Sequence, residues 1–505
     1  MSLRSADSPT SPPALVLENR GPLPQAKAKP LFARETLRIF VHLSRSKRRK
    51  KNSIWEETVT VENVQSAQTG TPAPKPATDQ HRTAYSSGPY RIYVLLVLTI
   101  VYVLNFVDRQ LLVILQEPIK AELNLSDTQL GLLTGFAFAL FYVICGIPIA
   151  RWADRGVRRN IIALALTVWS AMTAMCGLAG NYTHLLLARV GVGVGEAGGS
   201  PPAHSMISDI FKPKNRALAL SVYSIGIYIG ILIGFAVGSH IAEIFSWRLA
   251  FFVVGMPGVV IALIVRLTVR EPARGWSEGA EKTTLPAPPA LDVARLLWTR
   301  VSFRHIAMAA SLQAFLIYGI GNWFPSYFLR NFELSLGTVG TWMALTNGVG
   351  GALGSFFGGW MADKFGARDV RWYLWIPGIL TFLIAPVLLV ALTSGSVLVA
   401  LILTAPFHFL SAAYLGSIIA VSHSLVNARM RALTSAILFF ILNLIGLGLG
   451  PLIVGTLSDL FTNSGINSPL GTAMLICGVI GALWACLHYV LAAKSIRADI
   501  ERLEL

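Results

Sequence analysis

From Tyr90 onward, apolar stretches of about twenty residues or more alternate with short polar loops, and that alternation restricts the fold more than any other feature. An apolar helix of about 20 residues crosses the ~30 Å hydrocarbon layer, where backbone polar groups must be satisfied internally. Twelve such stretches are read, near 91–115, 129–151, 160–180, 183–209, 216–242, 247–268, 303–328, 337–362, 371–392, 396–422, 431–457 and 471–493. A soluble chain is excluded on the same grounds. Charged residues make up 13% of the 505 and hydrophobic ones 54%, against roughly 25% charged in a soluble domain. The expected fold is an all-α membrane protein, twelve transmembrane helices in two six-helix bundles.

Loop charges orient the spans. Arg151, Arg155, Arg158, Arg159, Lys212, Lys214 and Arg216 share one side with the 269–302 loop, Lys364, Arg368, Arg371, Arg429 and Arg431. The opposite loops hold Lys120, Arg248 and Arg330. The positive-inside bias therefore puts both termini in the cytoplasm of a cell (inner or plasma) membrane. The expected organisation is a cytoplasmic basic extension over 1–88, a six-helix bundle over 89–268, a cytoplasmic linker over 269–302, a second bundle over 303–494 and a tail over 495–505. The extension carries 14 Lys+Arg against 7 Asp+Glu. Residues 31–43 mix apolar and basic side chains and 45–51 are polybasic, so one reading is an arm that binds anionic lipid. The others are a disordered tail or a start codon assigned too early. In the linker, Leu291 to Arg300 reads as a short amphipathic helix on the inner surface.

Several function classes fall away. The net charge of +16 is no nucleic-acid footprint, because the apolar stretches leave no room for a basic folded face. Cys145, Cys176, Cys477 and Cys486 lie in apolar runs without metal-ligand spacing and read as small hydrophobes. The Gly191 to Ser200 run contains GxGxxG but lacks the strand that dinucleotide binding needs. Nine scattered histidines form no catalytic set, and no Walker-type loop occurs. The chain is expected not to be an enzyme and to need no cofactor, with protons as the coupling ion. Its expected partners are membrane lipids and a small amphipathic substrate, not nucleic acid, and it is expected to be monomeric.

Two loops repeat. Ala150-Arg151-Trp152-Ala153-Asp154-Arg155-Gly156-Val157-Arg158-Arg159 follows the second stretch, and Gly359-Trp360-Met361-Ala362-Asp363-Lys364-Phe365-Gly366-Ala367-Arg368 follows the eighth, 209 residues later. Parallel halves of this kind build rocking transporters. Asp154, Arg155, Arg158, Arg159, Asp363, Lys364 and Arg368 suit a conformational latch, the carboxylates capping helix ends and the cations gripping acids or carbonyls in one state. This GxxxD-basic-xGxR pattern is similar to the signature loop of the major facilitator superfamily, over roughly residues 90 to 495. Ala150 stands where the family has glycine.

Charges inside the membrane are functional suspects, at about 2.5–3.5 kcal/mol each on insertion scales. Asn105, Asp108 and Arg109 share one face of the first span. Arg189, Gly193, Glu196 and Ser200 form a stripe on the fourth, with arginine and glutamate about 10 Å apart. The superfamily resemblance implies that these spans line one side of a central cavity, so Asp108, Arg109, Arg189 and Glu196 meet in a neutral cluster. Two readings stay open: a static ion-pair network, or a site where Asp108 or Glu196 exchanges a proton and Asn105, Arg109 and Arg189 hold a headgroup. The second half offers neutral candidates, Gln313, Tyr318, Asn322, Trp323, Asn347, Ser411, Tyr414 and Asn443, with His408 its one deep titratable residue. Each is either helix-helix glue or a cavity contact.

Asn105-x-x-Asp108-Arg109, Arg189 with Gly193-Val194-Gly195-Glu196-Ala197, and Arg270-Glu271-Pro272-Ala273-Arg274-Gly275 resemble the spinster family. That resemblance implies proton-coupled movement of lysolipids, with the four charged residues in coupling and headgroup recognition. Gln110 and Gly198-Gly199-Ser200-Pro201-Pro202 depart from the animal pattern and look like a bacterial member, whose substrate need not be a sphingolipid. A small organic anion or drug-like compound is the alternative substrate.

Overall fold

The computed structural model describes residues 85, 87–275, 277 and 289–504, and all regular structure among them is helical. The expectations for 31–43, for 45–51 and for the Pro-rich part of the linker lie outside the described residues. Ten helices among those described are long and apolar enough to cross a membrane. They are Gly88–Ile114 (span 1), Asp127–Arg155 (span 2), Arg158–Cys176 (span 3), Pro213–Ile244 (span 5) and Trp247–Thr268 (span 6). Val301–Asn331 (span 7), Trp372–Thr393 (span 9), Val397–His423 (span 10), Arg431–Asn463 (span 11) and Pro469–Arg502 (span 12) complete the ten.

Two further helical stretches take the places of spans 4 and 8. Span 4 is not the unbroken helix expected over 183–209. It runs Tyr182–Glu196, turns through 197–199 and resumes as Ser200–Ile210. Pro201 and Pro202 are the reason: neither has an N–H to continue the ladder, while both fit the first turn of a new helix. Span 8 runs from Leu336–Met343 through Ala344–Val349 to Gly350–Gly366, rich in glycine. Wide π-type turns interrupt four spans: Leu132–Phe136 in span 2, Leu316–Ile320 in span 7, Ala344–Val349 in span 8 and Asn443–Leu449 in span 11.

Small residues decide the packing, since lipid supplies no hydrophobic drive between helices. Gly226, Gly230 and Gly234 of span 5 lie against span 1, and a Cβ at Gly230 would sit 2.5 Å from the Val103 carbonyl oxygen. Gly354 and Gly358 of span 8 lie in the same way on the backbone of Phe409 and Ala413 in span 10. Outward, Ile92, Leu96 and Ile100 form an exposed stripe on span 1, as a lipid-facing surface requires. In span 7, 83% of the apolar window is buried, against 33% in span 5, so span 7 is a central helix.

Polar contacts between the first six spans and the last six gather on the face opposite the basic loops. Ser326 donates to Gln116 Oε1 at 3.0 Å, and Arg330 reaches Glu117 and Asp127. Nearer mid-depth, small residues let the halves meet closely: Gly135 meets Gly448, and Gly348 meets Tyr228 and Leu232.

Candidate functional site

The expected cluster forms. Arg109 Nε donates to Glu196 Oε2 at 2.7 Å. Glu196 is fully buried, and Asp108 and Arg189 are each 2% exposed. Asp108 lies within electrostatic reach of Glu196, Arg189 and Arg109. Two acids and two bases make a neutral set, the composition that burial tolerates. The set is not complete, however. Glu196 Oε1, Asn105 Oδ1, Arg189 Nε and Arg189 Nη1 are buried without a hydrogen-bond partner among the described residues. Unsatisfied buried polar atoms each cost about 1–3 kcal/mol, and four of them lie together in this cluster.

Aromatic rings surround the cations. The Arg109 guanidinium carbon stands 5.1 Å from the Phe106 ring centre, 4.8 Å from Phe138 and 5.1 Å from Tyr142. Arg189 stands 5.4 Å from Phe138. Tyr102 stacks on Tyr223 at 4.3 Å. The sequence reading missed these residues, although Tyr102 and Phe106 lie seven and three positions before Arg109, on its helical face. The side chain of Arg109 keeps 13% of its surface accessible, and Tyr102, Tyr142 and Tyr318 stay partly accessible at mid-span. The space between the halves is therefore open there. Across it, Tyr318 lies within electrostatic reach of Arg109 and Tyr142, and Tyr414 of Tyr318 and Tyr228.

The other second-half candidates divide. The Gln313 amide is engaged at both ends, accepting from Thr381 Oγ1 at 2.5 Å and donating to the Ser411 carbonyl at 3.1 Å, so it ties spans 7, 9 and 10 together. Asn443 donates to the Phe439 carbonyl one turn back at 2.8 Å. Trp323 Nε1 donates to the Pro451 carbonyl at 3.1 Å. Asn347 is partly accessible in the π-turn of span 8. Asn322 is buried in the turn Gly321–Trp323. His408 bonds the Thr404 carbonyl through Nδ1 at 2.8 Å, while its buried Nε2 lacks a partner among the described residues, as does Ser411 Oγ.

The two repeated loops sit differently. Arg158 is fully buried: Nη1 donates to Asp209 at 2.5 Å, Nε to Glu271 at 2.7 Å and Nη2 to the Pro272 carbonyl at 2.9 Å. The Arg159 backbone N–H also donates to Glu271, at 2.9 Å. Arg274 donates to the carbonyls of Ala153 and Gly156. The Arg270 to Gly275 segment is thus the clasp of the first loop, a role the sequence reading did not see. Asp154 and Arg155 stay exposed. In the second loop Asp363 accepts from Tyr373 Oη at 3.4 Å, Lys364 lies 4.8 Å over Trp360, and Arg368 is exposed. Asp369, not foreseen, binds Arg371 and Arg497 at 2.9 and 2.7 Å, and the Arg371 backbone N–H, then the two cations, hold its carboxyl below the usual carboxylate range.

A second charged centre, also missed, closes the face opposite the basic loops. Arg330 donates to Asp127 at 2.6 and 2.7 Å and to Glu117 at 3.0 and 2.7 Å. Lys120 and Ser458 also bind the Asp127 carboxylate. Asp459 accepts from the backbone N–H groups of Asp127 and Thr128 at 3.0 and 2.8 Å, capping span 2 from the other half. Ser126-Asp127-Thr128-Gln129 forms a capping box, and Arg330 and Asp459 tie it to the other half.

Residues 98–349 match the model of the Major Facilitator Superfamily. The chain is 34% identical over 433 residues to an MFS-type efflux pump of Mycolicibacterium smegmatis, covering 85% of this chain and 98% of that protein. It is 27% identical to a probable L-galactonate transporter of Escherichia coli (80% and 89% covered). It is 24% identical to a sphingosine-1-phosphate transporter of Xenopus tropicalis (81% and 82% covered). Among solved structures it resembles a bacterial homologue of the human lysosomal transporter spinster, inward-facing and unoccupied. That match has a TM-score of 0.74 and 34% identity, covering 82% of this chain and 99% of the other.

Proposed function

The chain belongs to the major facilitator superfamily, on its spinster-like branch, and is a transporter; from that premise we propose a proton-coupled carrier of an amphipathic anionic or zwitterionic substrate, such as a lysolipid. It works by alternating access in a cell membrane, both termini in the cytoplasm. The observation that carries this reading is the incomplete central cluster, where Glu196 Oε1, Asn105 Oδ1 and two Arg189 nitrogens lack partners beside the accessible Arg109.

An anionic headgroup competes with Glu196 for Arg109, and Asn105 and Arg189 complete its hydrogen bonds. Glu196, left without its cation in a desolvated site, is then neutralised by a proton, with Asp108 as the second acid of the pair. The rings of Phe106, Phe138 and Tyr142 hold the cation in place. The apolar tail lies toward Tyr318 and Tyr414. Asp154, Arg155, Asp363, Lys364 and Arg368 engage the other half when the basic-loop side closes.

A second reading, a small organic anion, is favoured by the likeness to the galactonate transporter. Flux into liposomes separates the two, with a lysophospholipid and galactonate as substrates, with and without a pH gradient. Gradient-stimulated lysolipid flux is expected; galactonate flux alone transfers the assignment to the small anion.

A further inference from the structure

The linker helix Ala290–Thr299 and the corner after it hold a feature that transport does not use. On its inner stripe Val293 and Leu297 are 1% and 0% exposed, packed in the core that includes Met430 and Leu433. On its outer stripe Leu291 and Trp298, seven residues apart, are each 60% exposed. Arg295 stands between them with 72% of its side chain accessible. An apolar–cationic–aromatic stripe of this kind lies at a membrane surface.

Arg300 is the unusual member. It ends the linker helix and opens span 7, its carbonyl accepting from the Arg304 N–H at 3.3 Å. It is 8% exposed, its buried Nε has no hydrogen-bond partner among the described residues, and its guanidinium makes no ion pair there. Asp499 is already engaged: Oδ2 accepts from the N–H and hydroxyl of Ser302 at 2.8 and 2.7 Å, and Oδ1 faces Arg502 at 3.5 Å. Arg304 is exposed one turn further on. The linker helix packs on the start of span 11, headed by Arg431. Arg295, Arg300 and Arg304 follow one another along this corner, and the linker helix itself carries a single acid, Asp292, which stands 3.9 Å from Arg295. A largely buried arginine without a counter-ion among the described residues is unfavourable, and its guanidinium reaches the surface only at the Nη end, so the corner suits an anion that arrives from outside the chain.

We infer that this corner binds the phosphate of an anionic phospholipid in the leaflet on the basic-loop side. Arg300 grips the phosphate, Arg304 and Arg295 add charge, and Leu291 and Trp298 seat the linker helix among the upper acyl chains. Basic pockets between membrane helices take lipid headgroups in this way.

The test follows thermal unfolding of the purified protein in zwitterionic detergent, titrated with phosphatidylglycerol, phosphatidylcholine or inorganic phosphate. Phosphatidylglycerol is expected to raise the melting temperature and phosphatidylcholine is not. Arg300→Met is expected to weaken the phosphatidylglycerol response at least about fivefold in apparent affinity. Without lipid its melting temperature should not fall below that of the unaltered protein, because it removes an unpaired charge. Trp298→Ala should weaken the response while leaving Arg300 in place. An Arg300→Met protein that responds like the unaltered one overturns the site, as does one that loses stability without lipid. An equal effect of inorganic phosphate overturns the assignment to lipid.

Discussion

Two of the buried charge clusters among the described residues are finished to different degrees. On the face opposite the basic loops, the Asp127 carboxylate receives Arg330, Lys120 and Ser458, and Asp459 receives three donors from Asp127 and Thr128. No buried polar atom of Asp127, Arg330 or Asp459 is left over. At mid-depth, Arg109 and Glu196 pair at 2.7 Å while four neighbouring polar atoms go unmatched. The chemistry is the same and the bookkeeping of partners is not. A saturated network holds two bodies in one arrangement; an unsaturated one accepts a ligand or a proton. The difference is what the proposed roles of gate and binding site rest on.

The comparison is most severely tried by Arg109→Ala. It leaves Glu196 buried without its cation, at about 3–5 kcal/mol, and is expected to abolish transport and lower the melting temperature. Arg109→Lys keeps the charge but loses the planar contact with three rings and should restore stability more than flux. Opening the saturated network acts differently. Asp127→Asn or Arg330→Ala should shift the population away from the closed arrangement by about 2 kcal/mol, or roughly 30-fold. Spin-label distances across that face would report the shift; unchanged distances would make the network ordinary surface pairing. Substrate binding at Arg109 should survive both variants.

Packing supplies a smaller effect. Gly230→Val pushes a side chain into the Val103 carbonyl and should destabilise by about 1–3 kcal/mol, read as a lower melting temperature. Smallest is the exposed rim. Hydrogen bonds from Arg248, then Trp247, hold the Glu122 carboxyl below the usual carboxylate range. A lowered carboxylate stabilises the fold above its ordinary range and loses that contribution as the pH falls through the lowered value. Glu122→Gln should therefore cost about 0.5 kcal/mol or less at neutral pH, since the Glu122 side chain is half exposed. The deficit should vanish in acid, which a melting series over pH would show.

Much of this was legible in residue order. Apolar length marked the spans. The i, i+3, i+4 spacing of Asn105, Asp108 and Arg109 put them on one face, and their meeting with Arg189 and Glu196 followed once spans 1 and 4 were neighbours. What stayed hidden was of two kinds. The π-turns are choices of hydrogen-bond register, and in an all-apolar helix the periodicity changes too little to announce them; the break at 197–199, by contrast, is marked by Gly198-Gly199 and Pro201-Pro202, which the expectation of an unbroken helix passed over. The gate joins Asp127 to Arg330 and Asp459, over two and three hundred residues away. Such pairings depend on how two bundles dock, and each member looks local on its own: a helix cap, a loop arginine, a helix-end acid. The clasp of Arg158 by Asp209 and Glu271 was hidden for the same reason.

The account rests on proton exchange at the unsaturated cluster, and one measurement reaches it directly: gradient-driven against exchange flux for Glu196→Gln and Asp108→Asn proteins in liposomes. At least one variant is expected to keep substrate exchange at equal pH on both sides while losing uphill transport when a pH gradient is imposed. If both variants respond to the gradient as fully as the unaltered protein, the central charges are scaffolding and the proposed coupling is wrong.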